Sequence, residues 1–409
     1  MDIIMLALPR WDGPYSSTAF SMAKELARKN RVFYIDNPFT LKDLASGMNS
    51  PQVRRRIRSL MLWKSSITDF GDNDRQLVCV TPPPALPVNF LPPGFGYDAV
   101  SGLNDLVFFR AMQQLMTRFN ITDFIFVNVY NPFYGRQFPK WFKPRSFIYY
   151  SVDNIAKSAY VNKHGPRLER EMMRRADLTL TTSRELWNQA RRLTSNAHYL
   201  PNAADIGLFL RKTPINIERP AELTQVSTPV IVYTGHIDIR LDYDLVRAIL
   251  ARHPDKTLLM VGPHSISKEL YDELKAYPNM LFVGAKRLSE LPAYLYHSHC
   301  AIIPFKCDEL TMSIYPLKVN EYLAAGLPVV STSFSEDIRA FGDVVEIGAS
   351  EAEFCDKITA MIGNDHEDVR SARIKVASGN NWENRAQRFW EIVERSLATA
   401  HLNSMAPIS

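Results

Sequence analysis

The sequence predicts an α/β protein of two doubly wound, Rossmann-like domains, and three observations carry that prediction. Short apolar runs alternate with amphipathic helical segments from one end to the other. Several of these runs, among them residues 3–8, 230–234 and 300–304, are apolar on both faces, as buried parallel strands are. A stretch containing Pro214 and Pro220, and running up to Pro229, has no apolar periodicity and splits the alternation into two sets. On this pattern residues 1–205 form the first domain, 206–228 a linker, 229–380 the second domain, and 381–409 a closing helix and tail.

Composition sets the outer limits. With 409 residues the chain is long enough for two cores, and its 46% hydrophobic and 22% charged residues are those of an ordinary soluble protein. No run is long enough to cross a bilayer, and the opening MDIIMLALPRWDG lacks the basic start and small-residue cleavage site of a signal peptide. Cys79, Cys300, Cys307 and Cys355 are scattered without CxxC spacing, so neither zinc nor a disulfide framework is expected, and a reducing cytoplasm fits best. The net charge of +5 favours an anionic partner without naming it.

In the first domain, strand 3–8 leads into the loop Pro9-Arg10-Trp11-Asp12-Gly13-Pro14, and helix 16–29 repeats Phe20, Ala23, Leu26 and Ala27 at helical spacing. Strand 32–36 follows. Residues 51–64, PQVRRRIRSLMLWK, interleave Arg54, Arg55, Arg56, Arg58 and Lys64 with Val53, Ile57, Leu60, Met61, Leu62 and Trp63. That mixture suits an anionic membrane surface, and equally an insertion whose apolar side packs on its own domain with the arginines in water. Nucleic acid is a poorer account, because no basic-aromatic alternation recurs elsewhere. Strand 77–81 runs into a proline-rich loop, then come helix 102–119 and strands 124–129 and 147–151. Asp153 lies just past the last of these, at the carboxyl end where ligands bind; it reads as a group that orients an acceptor or as a helix N-cap. Asn128 and Asn131 would line the same crevice.

The second domain opens with strand 230–234 and the loop from Gly235 to Asp242. Gly235 admits close approach of a ligand, and the fork of Arg240 suits a diphosphate, unless it pairs with Asp242 or Asp244. Strands 257–262 and 280–284 each close on a glycine. The central unit is strand 300–304, a short helix entered at Pro316 and closed by Gly326, and strand 328–331. The amides of Ser313, Ile314 and Tyr315, with the positive end of the helix dipole, would point into the crevice, where a diphosphate fits. Lys318 and Glu321 share a face, and Glu321 is the only acid there. It would accept two ribose hydroxyls, or simply pair with Lys318. His297 and His299, two apart at a helix end, point away from each other and read as structural. The final helix collects Phe389, Trp390, Ile392, Val393 and Leu397 on one side.

The run Pro316-x-Lys318-x-x-Glu321-Tyr322-x-Ala324-x-Gly326-x-Pro328-Val329-Val330 resembles the donor-site signature of GT-B glycosyltransferases of the family 4 type, including those of bacterial exopolysaccharide and teichuronic acid pathways. The resemblance implies a GT-B fold, with two domains facing a cleft and the C-terminal helix crossing back to the first. It places Glu321 on the nucleotide ribose and the loop of His236 and Arg240 at the phosphates, where the family carries Arg and Lys; with His236 at the first position, Arg240 would carry most of the charge. Gly262 falls where the base and its ribose are cradled. Asp12 and Gly13 fall in a loop near the donor phosphates and acceptor, where Asp12 reads equally as a turn residue, and Asp153 falls near the anomeric carbon. Two departures stand out. Ser313 replaces a second Glu usual in the family, leaving Asp308 and Glu309 as candidates to read the sugar hydroxyls, and the His usual beside Asp153 is missing.

The expected function is hexosyl transfer, with retention, from a nucleotide diphosphate sugar to a lipid-linked glycan in cell-surface polysaccharide synthesis at the cytoplasmic face of a membrane. Asp153, Arg240 and Lys318 would be catalytic. With cations and amides already facing the leaving group, no metal and no other cofactor is expected. The alternatives are a nucleotide-sugar 2-epimerase and a non-catalytic binder of nucleotide or glycan on the same fold.

Overall fold

The computed structural model describes residues 1–13, 17–72, 75–157, 161–210 and 217–405. The chain separates into two compact units, Met1–Pro201 together with Arg385–Ser409, and Asn202–Asn384.

Among the described residues the first unit holds eight strands: β1 (Asp2–Ala7), β2 (Arg31–Ile35), β3 (Ser66–Asp69), β4 (Gln76–Thr81), β5 (Phe124–Val129), β6 (Phe147–Ser151), β7 (Leu178–Thr181) and β8 (Ala197–Tyr199). They lie in the order β3-β4-β2-β1-β5-β6-β7-β8, all parallel except β3, which runs antiparallel along β4 as an edge. Every residue of β1, β5 and β6 is buried, which is why these strands read as unbroken apolar runs. Edge strand β3 is half exposed and carries no such signal.

The second unit holds β9 (Val230–Thr234), β10 (Thr257–Val261), β11 (Met280–Gly284), β12 (Cys300–Ile303), β13 (Val329–Thr332) and β14 (Glu346–Gly348). This sheet is wholly parallel, in the order β11-β10-β9-β12-β13-β14. The order reverses between β9 and β12, and ligands of such sheets bind beyond the strand ends at that point.

The boundaries differ from those expected. Of the expected linker 206–228, residues 211–216 lie outside the described residues; in the rest, Ile206–Phe209 is a helical turn, and Ile206, Phe209 and Leu223 are buried in the core of the second unit. Three apolar residues spaced too irregularly to show a period still find one hydrophobic site. Ala204 is tied to the far end of the same unit, its amide donating to the Asn380 carbonyl at 3.1 Å. The final helix, Trp382–Met405, passes to the first unit from Arg385 onward, where Phe389, Ile392 and Val393 are buried and Ser396 accepts from Asn196 at 2.9 Å.

The helix Pro51–Met61 also departs from expectation. Ser50 caps it by accepting from the Val53 amide, and Val53 and Leu60 pack on Phe39. Arg56 faces inward with them rather than toward water. Its guanidinium donates to Asp12 (2.7 Å), Thr81 (2.7 Å), the Gln52 carbonyl (3.0 Å) and Asp36 (3.4 Å). Asp36 is fully buried and also accepts from the Thr81 hydroxyl and the Trp11 amide; burial nevertheless raises its carboxyl to about 6. One cation therefore holds the helix, the loop after β1 and the ends of β2 and β4 together. Arg56→Met leaves two carboxylates buried without it, so urea unfolding should show the first unit destabilised by about 3–5 kcal/mol. Arg54→Met, on the exposed side, should change stability by less than about 0.5 kcal/mol.

Candidate functional site

At the reversal in the second sheet, β9 is followed by Gly235 and β10 by Gly262, with φ of +126° and +152°, values that side chains rarely allow. A Cβ on Gly262 would lie 2.0 Å from the Gly235 carbonyl oxygen, so the two turns pass backbone against backbone. Hydrogen bonds lace them together: the Gly235 amide to Val261, Ile237 to Pro263, and Ser265 to Ile237, each 2.9 Å. The His236 ring lies 2.6 Å from the Ser265 hydroxyl, and the His236 carbonyl accepts from Tyr233.

Lys318 reaches this point from the helix Leu317–Ala324. Its ammonium donates to the Tyr233 hydroxyl at 2.8 Å and lies 4.0 Å from the centre of that ring and 4.9 Å from that of Phe305. A Cβ on Gly235 would come within 2.9 Å of it. Burial lowers the lysine to about 7, and the nearby charge of Arg240 adds to the effect. Arg240 forks onto Asp238, at 2.8 Å and 2.7 Å, and not onto Asp242 or Asp244. Asp242 is occupied as the N-cap of the helix Tyr243–Arg252.

Glu321 lies on the next turn and is 7% exposed. Among the described residues its carboxylate makes no hydrogen bond and no ion pair, with Lys318 or any other group. Burial raises it to about 7, offset in part by the charge of Lys318 and reinforced by that of Asp205. The two groups are thus displaced toward neutrality from opposite sides, and neither is spent on the other. A buried carboxylate without donors is ready to accept hydroxyls.

The approach to this helix is arranged differently from the expectation. Asp308 accepts from the amides of Leu310 and Thr311, shaping a tight turn, Thr311–Ser313. The Ile314 amide donates to the Thr311 carbonyl at 2.9 Å, so it is not open to a phosphate, and the Ser313 hydroxyl donates to the Leu310 carbonyl. Pro316 occupies the N-cap instead of the first helical turn. The Tyr315 hydroxyl accepts from Asn320, which in turn accepts from Asn380. Cationic side chains, more than amides, therefore supply the positive charge.

The remaining expected residues lie in the first unit. Asp12 has its carboxylate in ion pairs with Arg55 (3.1 Å) and Arg56 (2.7 Å), so it ties down its loop and does not stand open to an acceptor. The Gly13 amide closes a turn on the Arg10 carbonyl. Asn128 is buried and committed, donating to the carbonyls of Asn131 and Tyr134 and accepting from the Asn131 amide. Asp153 is exposed at the end of β6, where its carboxylate accepts from the Asn154 amide at 2.8 Å.

Sequence reasoning passed over Glu169. From the helix Gly165–Arg175 its carboxylate accepts from Tyr149 (3.1 Å) and Ser151 (3.0 Å), and burial raises it to about 7, with the charge of Asp153 contributing. The signal was an acid next to Leu168, on the side of the helix that also carries Met172. Tyr233, Phe305 and Asp238 were also missed, because their roles depend on contacts from other elements.

Two outcomes are expected. Gly262→Ala removes nucleotide binding, read by thermal shift, because the new methyl has no room beside Gly235. The displaced pair also sets the pH dependence of folding. Lys318, with its folded pKa lowered, disfavours folding fully below pH about 7 and progressively less up to 10.5. Glu321, raised, disfavours it fully above about 7. In urea titrations without ligand, Lys318→Met should gain most over wild type at pH 6 and Glu321→Gln most at pH 8.

Comparison with known proteins bears on this site. Residues 228–364 match the family model for Glycosyl transferases group 1. Over 161 residues the chain is 29% identical to TuaH of Bacillus subtilis (strain 168), a protein named as a teichuronic acid biosynthesis glycosyltransferase; the match covers 37% of this chain and spans 40% of the length of that relative. In fold, 98% of the chain superposes on all of the sucrose-phosphate synthase of Thermosynechococcus elongatus, with TM-score 0.68 and 15% identity. The E. coli trehalose-6-phosphate structure bound with UDP-2-fluoro glucose gives TM-score 0.67 at 9% identity, covering 97% of this chain and 99% of that one.

Proposed function

We propose, for a chain whose fold is GT-B and whose residues 228–364 match the group 1 glycosyl transferases, that it moves a hexosyl group from a nucleotide diphosphate sugar to a glycan acceptor. The observation that carries this reading is the unpaired, buried Glu321 one turn from the Lys318 ammonium. The spacing suits a nucleotide: phosphates at Lys318 and Arg240, ribose hydroxyls on Glu321, and the backbone of Gly235 and Gly262 close against the ligand.

The chemistry follows from charge. The bond from the anomeric carbon to the diphosphate oxygen breaks, the electron pair leaves with the nucleoside diphosphate, and Lys318 and Arg240 meet the developing negative charge. This pair does the work a divalent cation would otherwise do, so transfer proceeds without one. The incoming acceptor hydroxyl loses its proton as its oxygen bonds to carbon, and Asp153 orients it or takes that proton. Retention of configuration is part of the same reading.

The acceptor is lipid-linked and the protein works at an anionic membrane surface. Among the described residues no helix is long and apolar enough to cross a membrane. The end of the helix Pro51–Met61 nevertheless exposes Met61, Leu62 and Trp63, at 72%, 66% and 51%, beside the exposed Arg54, Arg55, Arg58 and Lys64. With Val53, Arg56 and Leu60 turned inward, these groups form a patch with a basic flank and an apolar tip, suited to headgroups and the interface below them. Co-sedimentation with vesicles containing anionic lipid should exceed that with neutral vesicles, and Trp63→Ala with Arg58→Glu should abolish the difference.

A thermal-shift screen of nucleoside diphosphates tests the donor site, since ligand at a hundred times its dissociation constant stabilises by about 2.7 kcal/mol. Glu321→Ala and Arg240→Ala should remove the shift, whereas Asp153→Ala should keep it and abolish transfer. Normal nucleotide binding by all three variants would refute the site.

A further inference from the structure

We propose that Glu169 is a positioning residue for the transfer step: anchored on the end of β6, it sets a second acid beside Asp153 and so favours the uptake by Asp153 of the proton that the incoming hydroxyl gives up. The inference rests on the transferase reading above.

Three segments converge there. Both hydrogen bonds to Glu169, from Tyr149 and Ser151, end on one carboxylate oxygen, Oε1, and the other oxygen has no hydrogen bond among the described residues. Ser151 is the last residue of β6, two before Asp153. The backbone between them is fixed from the end of β7, because the Thr182 amide donates to the Ser151 carbonyl at 3.1 Å and the Thr182 hydroxyl to the Val152 carbonyl at 2.9 Å. The third segment is the turn after β5, where Tyr130 has φ of +57°, a left-handed conformation uncommon outside glycine. The Asn128 side chain holds that turn, accepting from the Asn131 amide at 3.0 Å and donating to the Asn131 carbonyl at 2.8 Å. Strain of this kind persists where the surroundings fix a side chain in place. Tyr130 senses both acids: burial first, and then the charges of Asp153 and Glu169, push its phenol up.

Support of the strand does not by itself require an acid. A glutamine would accept the same two hydroxyls without burying a charge, whereas Glu169 has no ion pair among the described residues. Burial raises it to about 7, against its two hydrogen bonds and the charge of Arg170, and the charge of Asp153 adds to the rise. Tyr149, Asp153 and Tyr130 face it from the neighbouring segments and Arg170 from its own helix. Like charges disfavour each other's ionised form. An ionised Glu169 therefore makes Asp153 the stronger base, and the repulsion between them ends when Asp153 takes the acceptor proton. That proton passes from the hydroxyl oxygen to Asp153 as the oxygen bonds to carbon, and Glu169 stays outside the bond changes.

Carboxyl carbon-13 NMR of the full chain, followed against pH and assigned by substitution, tests the pairing. Expected are a Glu169 signal that titrates near pH 7, an Asp153 midpoint lower by about half a pH unit or more in Glu169→Gln, and a matching fall of the Glu169 midpoint in Asp153→Asn. Asp153→Asn alters an exposed residue, so it remains informative if Glu169→Gln does not fold. A second arm follows release of nucleoside diphosphate, with water as the acceptor, from the nucleotide sugar that stabilises the chain most, at saturation so that ligand covers Lys318 and Glu321. Glu169→Gln should lower kcat about fivefold or more, leave KM and the nucleotide-induced thermal shift unchanged, and move the acid limb of the kcat profile to lower pH. A residue that only supported β6 would leave that limb in place, since glutamine keeps both hydrogen bonds. The proposal is overturned if the two titrations are independent, or if the limb does not move in a variant that binds nucleotide normally. A wild-type chain that turns over no nucleotide sugar would sink the transferase reading, and the role of Glu169 falls with it even where the titrations are coupled.

Discussion

A lysine held without a carboxylate partner is the constraint on which the proposed donor site depends. Lys318 donates to a tyrosine hydroxyl and lies against two aromatic rings, and a Cβ on Gly235 would come within 2.9 Å of its ammonium. Such an ammonium is poorly solvated and incompletely neutralised, so it sits near its point of proton loss. The surroundings are built around that state. Gly235 and Gly262 clear the space, Tyr233 bridges the ammonium to the His236 carbonyl, and Tyr322 ties the helix back to β9 by accepting from the Thr234 amide at 2.7 Å. On the proposed reading, a dianionic diphosphate would complete this arrangement.

The two units handle their buried charges in opposite ways. In the first, Arg56 is surrounded by Asp12, Asp36 and Thr81, and its charge is consumed in holding segments together. In the second, Lys318 and Glu321 lie close enough to influence each other but do not pair. The first arrangement stabilises one conformation, while the second keeps two ionisable groups available. This contrast separates a structural cluster from the proposed binding site better than burial alone, since both are buried.

Local features made much of the fold legible. Strands 124–129, 147–151 and 230–234 are buried on both faces, so they could be bounded from composition, and Gly326, with φ of +74°, marks the helix end as its residue type implies. Lys318 and Glu321 were recognisable because helix spacing puts them on one face and apolar neighbours leave them isolated. What could not be read depended on partners far along the chain. Arg56 looks like its exposed neighbours, and Asp12, Asp36 and Thr81, 44, 20 and 25 residues away, turn it inward. Arg240 found Asp238 rather than the acids after it, because Asp242 was already taken as a helix cap. Ile206, Phe209 and Leu223 gave no period, yet the second core recruits them.

The most direct test of the central claim is the proton balance of nucleotide-sugar binding, measured by calorimetry in buffers of different ionisation enthalpy, with the nucleotide sugar that stabilises the chain most. A diphosphate should restore the proton to Lys318 and ribose hydroxyls should favour the ionised form of Glu321. Binding should then take up protons at pH 8 and release them at pH 6, with the uptake missing in Lys318→Met and the release missing in Glu321→Gln. Proton exchange at both pH values that matched wild type in both variants would contradict the placement of the phosphates and the ribose on these two groups.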